Sequence, residues 1–220
     1  MMIMGQKRLT LEGFHNYGAI FENISKNELL KNELAEYGYD DQEIAKGKAL
    51  YDNAAQKLDL NKTESAEEKM AYDAFSKKFE ELKKTYTTDR KKAKIIFKDE
   101  DTILAVLAVK GIMSIRIGAM LDDIDTFYKQ LQAREELRTP LKRLKITDEH
   151  IAEQLKALNE VRQAYLQYTN EKGESQQATK NKDTAFAELE KWVREFYSIA
   201  KIALEDQPQL LESLGKFMRN

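Results

Sequence analysis

The sequence predicts an all-α protein, an up-and-down helical bundle that forms a single domain over residues 1–220. Three observations support this prediction. Charged residues make up 34% of the chain and hydrophobic ones 42%, with only 2 Pro and 9 Gly, a balance typical of long amphipathic helices. Apolar residues recur at spacings of three and four over several long stretches. No stretch alternates with period two for long enough to predict a sheet.

The first helix is predicted over roughly Phe14 to Leu34, with an interruption near Asn27. Aspartate is a favourable residue at the start of a helix, because its carboxylate accepts from the free N–H groups there. Asp40 or Asp41 is therefore expected to begin the next helix.

Four long helices are predicted to form the bundle, at 44–60, 66–98, 148–171 and 174–205. A hinge at Asn61 to Ser65 separates the first pair, and a turn at Gly173 separates the second pair. The second of these helices has the most regular apolar seam, formed by Tyr72, Phe75, Phe79, Leu82, Tyr86, Asp89, Ala93 and Ile96. Asp89 is the one polar residue in that seam.

The least polar run of the chain is Thr102 to Leu121, at its midpoint. A membrane span is disfavoured there, because Lys110 and Arg116 would each cost roughly 2.5 to 3.5 kcal/mol at bilayer depth. The apolar spacing instead predicts a central, largely buried helix over 102–133, bent or broken near Gly111. Short helices are expected near the two ends of the chain.

A second apolar stripe of this central helix would contain Ile112, Ile115, Met120 and Phe127. Apolar residues on so much of the circumference predict that neighbouring helices cover it on several sides.

The two halves of the chain match each other, which predicts internal repeats over about 14–110 and 111–220. At an offset of 107, positions 41–107 are identical to 148–214 at 17 of 67 places. Farther upstream the better offset is 100, which aligns Tyr17 with Ile117. A repeat unit would then be one short helix followed by two long ones.

The segment GESQQATKNKDTAFAELEKWVREFYSIAKIALEDQPQLLESLG, which begins at Gly173, resembles the C-terminal part of a set of uncharacterised bacterial helical proteins built from the same duplicated unit. The resemblance covers the last third of the chain most clearly and the first half weakly. It implies the duplicated helical fold and no particular activity.

Composition narrows the classes of function. The net charge of −2 and a pI near 5.9 give no general attraction for nucleic acid or anionic lipid. The absence of cysteine excludes disulfides and thiol catalysis. The N-terminal residues do not resemble a signal peptide, so a cytoplasmic protein is expected. No nucleotide-binding or nucleophile motif is present, so no cofactor is expected and an enzyme is not favoured.

A metal centre is not expected either. Di-metal carboxylate bundles need two Glu-x-x-His motifs, and the chain has only 2 histidines. Glu12 and His15 have that spacing once, and His150 is interpreted as a surface or helix-capping residue.

Asp89, Arg90 and Lys110 are the first candidate site residues, because the two halves differ most there: Asp89 is matched by Phe196 and Lys110 by Phe217. A buried carboxylate at Asp89 would mark a site. The alternative, which we favour, is that Asp89 reaches solvent or pairs with a neighbouring basic side chain.

Three hypotheses for function remain. The leading one is a non-catalytic scaffold that acts by contacts with a protein partner or with its own copies. The second is a ligand-binding or enzymatic bundle with a pocket between the repeats, lined by Tyr51, Tyr72, Tyr86, Tyr165 and Tyr168. The third, least favoured, is membrane insertion through residues 102–121.

Overall fold

The computed structural model describes residues 9–214, and all regular secondary structure in this part of the chain is helical. The all-α prediction is confirmed. The helices are α1 (Leu11–Lys26), α2 (Glu28–Glu36), α3 (Asp41–Ile96), α4 (Asp101–Val106), α5 (Ile117–Ala133), α6 (Glu135–Lys142), α7 (Asp148–Ala203) and α8 (Pro208–Ser213).

Polar side chains fix the starts of several helices. The Thr10 hydroxyl accepts from Gly13 N at the start of α1, and Asn27 accepts from Leu30 N between α1 and α2. Asp40 accepts from two backbone N–H groups of α3, as expected, and Thr147 accepts from His150 N at the start of α7. These caps set where each helix begins.

The expected breaks within the long helices are absent. Helices α3 and α7 each run for 56 residues without interruption. Asn61 lies inside α3, where its side chain donates to the Thr179 hydroxyl at 2.9 Å. Gly173 lies inside α7, since one glycine costs a helix only about 1 kcal/mol and does not by itself end it. The predicted hinge at 61–65 and turn at 173 were therefore wrong.

The prediction of one central helix over 102–133 is also wrong. Helix α4 ends at Val106, and residues 107–116 are not helical before α5 begins. Ala108 and Gly111 have φ 53° and 79°, and this left-handed backbone conformation interrupts the helix between α4 and α5. Ile112 and Ile115 are 95% and 91% exposed, so the second apolar stripe does not form there.

The described residues divide into two compact units. Unit 1 contains those up to Glu64 and from Glu174 onward, and unit 2 runs from Ser65 to Gly173. Each unit has its own apolar core: Ile20, Leu34, Leu189 and Phe196 are buried in unit 1. Tyr86, Ile124, Phe127 and Leu158 are buried in unit 2. The single domain over 1–220 stays a prediction.

Helix bounds recur along the chain. Helices α3 and α7 start and end 107 residues apart, as do α4 and α8. The bounds of α1 and α5, and of α2 and α6, differ by 106 or 107. The upstream offset of 100 is therefore wrong. At 107, the buried residues Phe14, Ile20, Phe21 and Ile24 are matched by Leu121, Phe127, Tyr128 and Leu131, which are buried too.

Within the described residues, no helix has the length and apolar character needed to cross a membrane.

Candidate functional site

The most unusual group in unit 2 is the carboxylate of Asp89, which is only 1% exposed. Three side chains bond to it. The Tyr128 hydroxyl donates to Oδ2 at 2.9 Å, Lys92 Nζ donates to Oδ1 at 2.8 Å, and His150 Nε2 lies 2.5 Å from Oδ2. We call these four residues the Asp89 cluster. They come from α3, α5 and α7, so one carboxylate joins three helices.

Local sequence explains the position of each residue of the Asp89 cluster. Asp89 occupies a seam position of α3, and Lys92 lies one turn later, where the side chains of a helix are neighbours. Tyr128 belongs to the buried face of α5. His150 lies in the first turn of α7, whose start is fixed by the Thr147 hydroxyl.

Burial and the carboxylate shape the electrostatics of this cluster. Burial, and then the charge of Asp89, raise the pKa of the Tyr128 hydroxyl far above its ordinary value. Tyr128 therefore stays protonated and remains a hydrogen-bond donor to Asp89. A buried carboxylate without such partners would be strongly unfavourable, which explains why three donors surround it.

The cluster does not resemble a metal centre. All three donors already bond to the Asp89 oxygens, so the carboxylate holds side chains in place. Because an ionised carboxylate only accepts, His150 Nε2 carries the proton in this pair. In the neutral imidazole, Nδ1 is then the free acceptor.

An open cleft of about 410 Å³ lies over the Asp89 cluster, and we call it the polar cleft. Its lining residues are Glu81, Lys84, Thr85, Thr88, Asp89, Lys92 and His150. The side chains of Lys92 and His150 are 27% and 23% exposed, so both reach the cleft as well as the buried carboxylate. Lys84 is exposed and makes no ion pair within residues 9–214.

A second pocket of about 270 Å³ adjoins the polar cleft, because Glu81 and Thr85 line both. We call it the side pocket. Its remaining lining residues are Lys78, Leu82, Gln154, Ala157, Glu160 and Val161. Lys78 and Glu160 form an ion pair at 2.7 Å at its edge.

Of the site residues predicted from the sequence, Asp89 lies at the centre of this site. The prediction that Asp89 reaches solvent was wrong. Its pairing with a neighbouring basic residue, Lys92, was correct. Arg90 and Lys110 lie elsewhere. Arg90 donates to the carbonyls of Val109 and Gly111, and Lys110 pairs with Asp101 at 3.0 Å.

The candidate tyrosines do not form one group. Tyr51 belongs to unit 1, where its ring stacks on Phe14 at 4.7 Å. Tyr86 and Tyr165 belong to unit 2, where Tyr165 packs 5.1 Å from Phe75. Tyr86 is fully buried.

The Tyr86 hydroxyl has no well-aligned hydrogen bond. Burial is the main cause that raises the pKa of Tyr86 to about 12, although the Arg90 guanidinium lies close enough to lower it somewhat. The neighbouring Arg90 Nε is also buried without a well-aligned partner. Tyr86 and Arg90 are therefore buried neighbours in unit 2 and lie outside the lining of the polar cleft.

Sequence reasoning missed Tyr128, Lys92 and His150. The interpretation of His150 as a capping residue was incomplete, because its backbone completes the cap while its ring bonds to Asp89. One signal was available: a polar residue in an otherwise apolar seam needs donors, and His150 is one of only 2 histidines in the chain.

Comparisons with known proteins give no assignment, since no family model, curated protein or solved structure matches the chain.

Proposed function

We propose that the protein is a non-catalytic helical bundle that acts by binding a small organic anion in the polar cleft of unit 2. The observation that carries this proposal is the double role of Lys92 and His150. Each is held by the buried carboxylate of Asp89 and is also partly exposed in the cleft. A ligand would meet donors that are already fixed in position, which lowers the entropic cost of binding.

The groups available to a ligand favour a negative charge. Lys92 has donors beyond the one it gives to Asp89, and Lys84 stands at the rim without an ion pair within the described residues. Glu81 and Asp89 are the acidic side chains that line the cleft, and the Asp89 carboxylate is already paired with Lys92. A carboxylate or phosphate group on the ligand satisfies these cations.

The tandem repeat is part of the same proposal. We infer that the chain contains two copies of one sequence repeat, over about 14–110 and 111–220. The 107-residue spacing of the helix bounds supports this inference. Each compact unit then combines elements of both copies. Unit 2, for example, contains the end of α3 from the first copy and the start of α7 from the second.

A protein-contact function is the second candidate. Ile112 and Ile115 are almost fully exposed on the non-helical segment 107–116. Arg90 and Lys94 both donate to the carbonyl of Gly111, so this segment is tied to α3. Apolar side chains presented in this way are typical of contact surfaces.

The test is a calorimetric titration of the full chain with acetate and with inorganic phosphate at low ionic strength, where charge contacts are least screened. We expect saturable binding of one or both anions. Lys84→Met and Lys92→Met should each weaken binding about tenfold or more, since a charge-assisted hydrogen bond contributes roughly 1.5–3 kcal/mol.

Lys91→Met is the matched control. Lys91 is an exposed lysine of the same helix that does not line the cleft, so this variant should bind like the wild type. Equal weakening by all three variants would show a nonspecific charge effect and contradict the site. A wild-type chain that binds neither anion would overturn the proposal and favour the protein-contact function.

A further inference from the structure

Unit 1 contains an aromatic stack that has no equivalent in unit 2. The Trp192 ring stacks on Phe196 at 5.3 Å and on Phe21 at 5.6 Å, and its Nε1 donates to Glu43 at 3.0 Å. Gly47 is required beside this ring, because a Cβ at position 47 would collide with the indole. The indole therefore occupies a socket shaped around it.

The positions 107 residues away in unit 2 carry different side chains. Trp192 is replaced by Thr85 and Gly47 by Gln154. The groups around the indole change as well: Phe196 is matched by Asp89, Phe21 by Tyr128 and Glu43 by His150. Asp89, Tyr128 and His150 thus take the sequence positions of Phe196, Phe21 and Glu43, and Thr85 takes that of Trp192.

The side pocket borders the two positions at which unit 2 lacks the tryptophan and the glycine. Thr85 and Gln154 both line the side pocket, whose inner wall is formed by Leu82, Ala157 and Val161. Leu82 and Val161 are core residues of unit 2, so this wall is apolar. The volume of about 270 Å³ is close to the lower end, roughly 300 Å³, of ligand pockets in proteins.

The side pocket and the polar cleft lie side by side, because Glu81 and Thr85 line both. The side pocket presents Leu82, Ala157 and Val161 among polar residues, and the polar cleft presents Lys84, Lys92 and His150. We infer that the ligand is an aromatic anion, whose planar ring fills the side pocket as Trp192 fills its socket in unit 1 and whose acidic group meets Lys92 in the polar cleft. This inference rests on the proposed function and specifies the ligand class.

Three probe molecules test the contributions of the ring and of the acidic group separately. Indole-3-acetate carries both a ring and a carboxylate, indole carries the ring alone, and acetate carries the charge alone. We expect indole-3-acetate to bind the full chain at least tenfold more tightly than acetate or indole. In a methyl NMR spectrum, indole-3-acetate should shift the signals of Leu82, Ala157 and Val161, and acetate should not.

A double variant fills the pocket. Thr85→Trp with Gln154→Gly copies the tryptophan and glycine of unit 1, so the protein's own indole should occupy the side pocket and weaken indole-3-acetate binding at least tenfold. Thr169→Trp is the control, because Thr169 is an exposed residue of α7 whose hydroxyl, like that of Thr85, bonds to a backbone carbonyl four residues earlier. It should bind like the wild type.

The outcomes distinguish this inference from the proposed function. If acetate binds but indole-3-acetate binds no more tightly, or if the three methyl signals do not move, the ring inference is overturned and the anion site stands. If no anion binds, both fail. If the double variant does not fold, the methyl shifts of the wild type still decide the question.

Discussion

Asp89 shows how one residue can indicate a site in a helical bundle. Its position in the seam was predicted from the spacing of apolar residues on α3, and the structure buries it. A carboxylate at such a position is stable only if neighbouring side chains supply donors, and Tyr128, Lys92 and His150 do so. The Asp89 cluster therefore holds the side chains of Lys92 and His150 at the floor of the polar cleft.

Removal of one donor should lower stability. Tyr128→Phe deletes the hydroxyl that donates to Asp89 Oδ2 and leaves the rest of the buried ring in place. Because the acceptor is charged, we expect the free energy of unfolding to fall by about 1.5–3 kcal/mol in urea denaturation.

Tyr86→Phe is the matched control for this change. Tyr86 is equally buried, but its hydroxyl has no well-aligned hydrogen bond. The free energy of unfolding should be unchanged or higher, since burial of an unpaired hydroxyl is unfavourable. Equal losses for both variants would mean that the Tyr128 bond to Asp89 contributes nothing special.

Sequence reasoning could find the acceptor of this site but not its donors. Asp89 stands out because its neighbours in the seam are apolar. Tyr128 and His150 are 39 and 61 residues away, and only the packing of α5 and α7 against α3 brings them together. Lys110 was grouped with Asp89 from differences between the halves, yet it lies in the segment after α4 and bonds to Asp101.

At the level of elements, the apolar spacing predicted where helices lie better than where they end. The interruption at Asn27 and the cap at Asp40 were predicted, because capping depends on local chemistry. The breaks at 61–65 and 173 were not observed, since polar residues and a single glycine weaken a helix without ending it when packing supports it. Packing of this kind cannot be predicted from local sequence.

Gly173 gives a direct test of the continuous helix α7. A methyl group at this position would contact nothing within 4 Å, so Gly173→Ala adds only helix propensity. We expect the free energy of unfolding to rise by about 0.5–1 kcal/mol in urea denaturation. A loss of stability would indicate a turn at Gly173 and contradict the continuous helix.

Gly47→Ala is the control for this experiment, with the same change inside α3. The added methyl group would collide with the Trp192 ring, so we expect a loss of about 1–3 kcal/mol from overpacking.

At the scale of the whole molecule, the two units differ in the side chains at their matching sequence positions. Unit 1 has aromatic packing around Trp192, whereas unit 2 has the Asp89 cluster and two open pockets at the matching sequence positions. Buried polar groups of this kind are often replaceable by apolar residues at a gain in stability. We infer that unit 2 keeps its polar residues for binding and not for stability.

The most direct test of this inference replaces five residues at the site of unit 2 with their counterparts from unit 1. The variant combines the changes Thr85→Trp, Asp89→Phe, Tyr128→Phe, His150→Glu and Gln154→Gly. Its free energy of unfolding and its affinity for indole-3-acetate are compared with those of the wild type. We expect the variant to be as stable as the wild type or more stable by about 1–4 kcal/mol, and to bind the probe no longer. A variant that loses stability, or that still binds indole-3-acetate like the wild type, would contradict the claim that the Asp89 cluster serves binding.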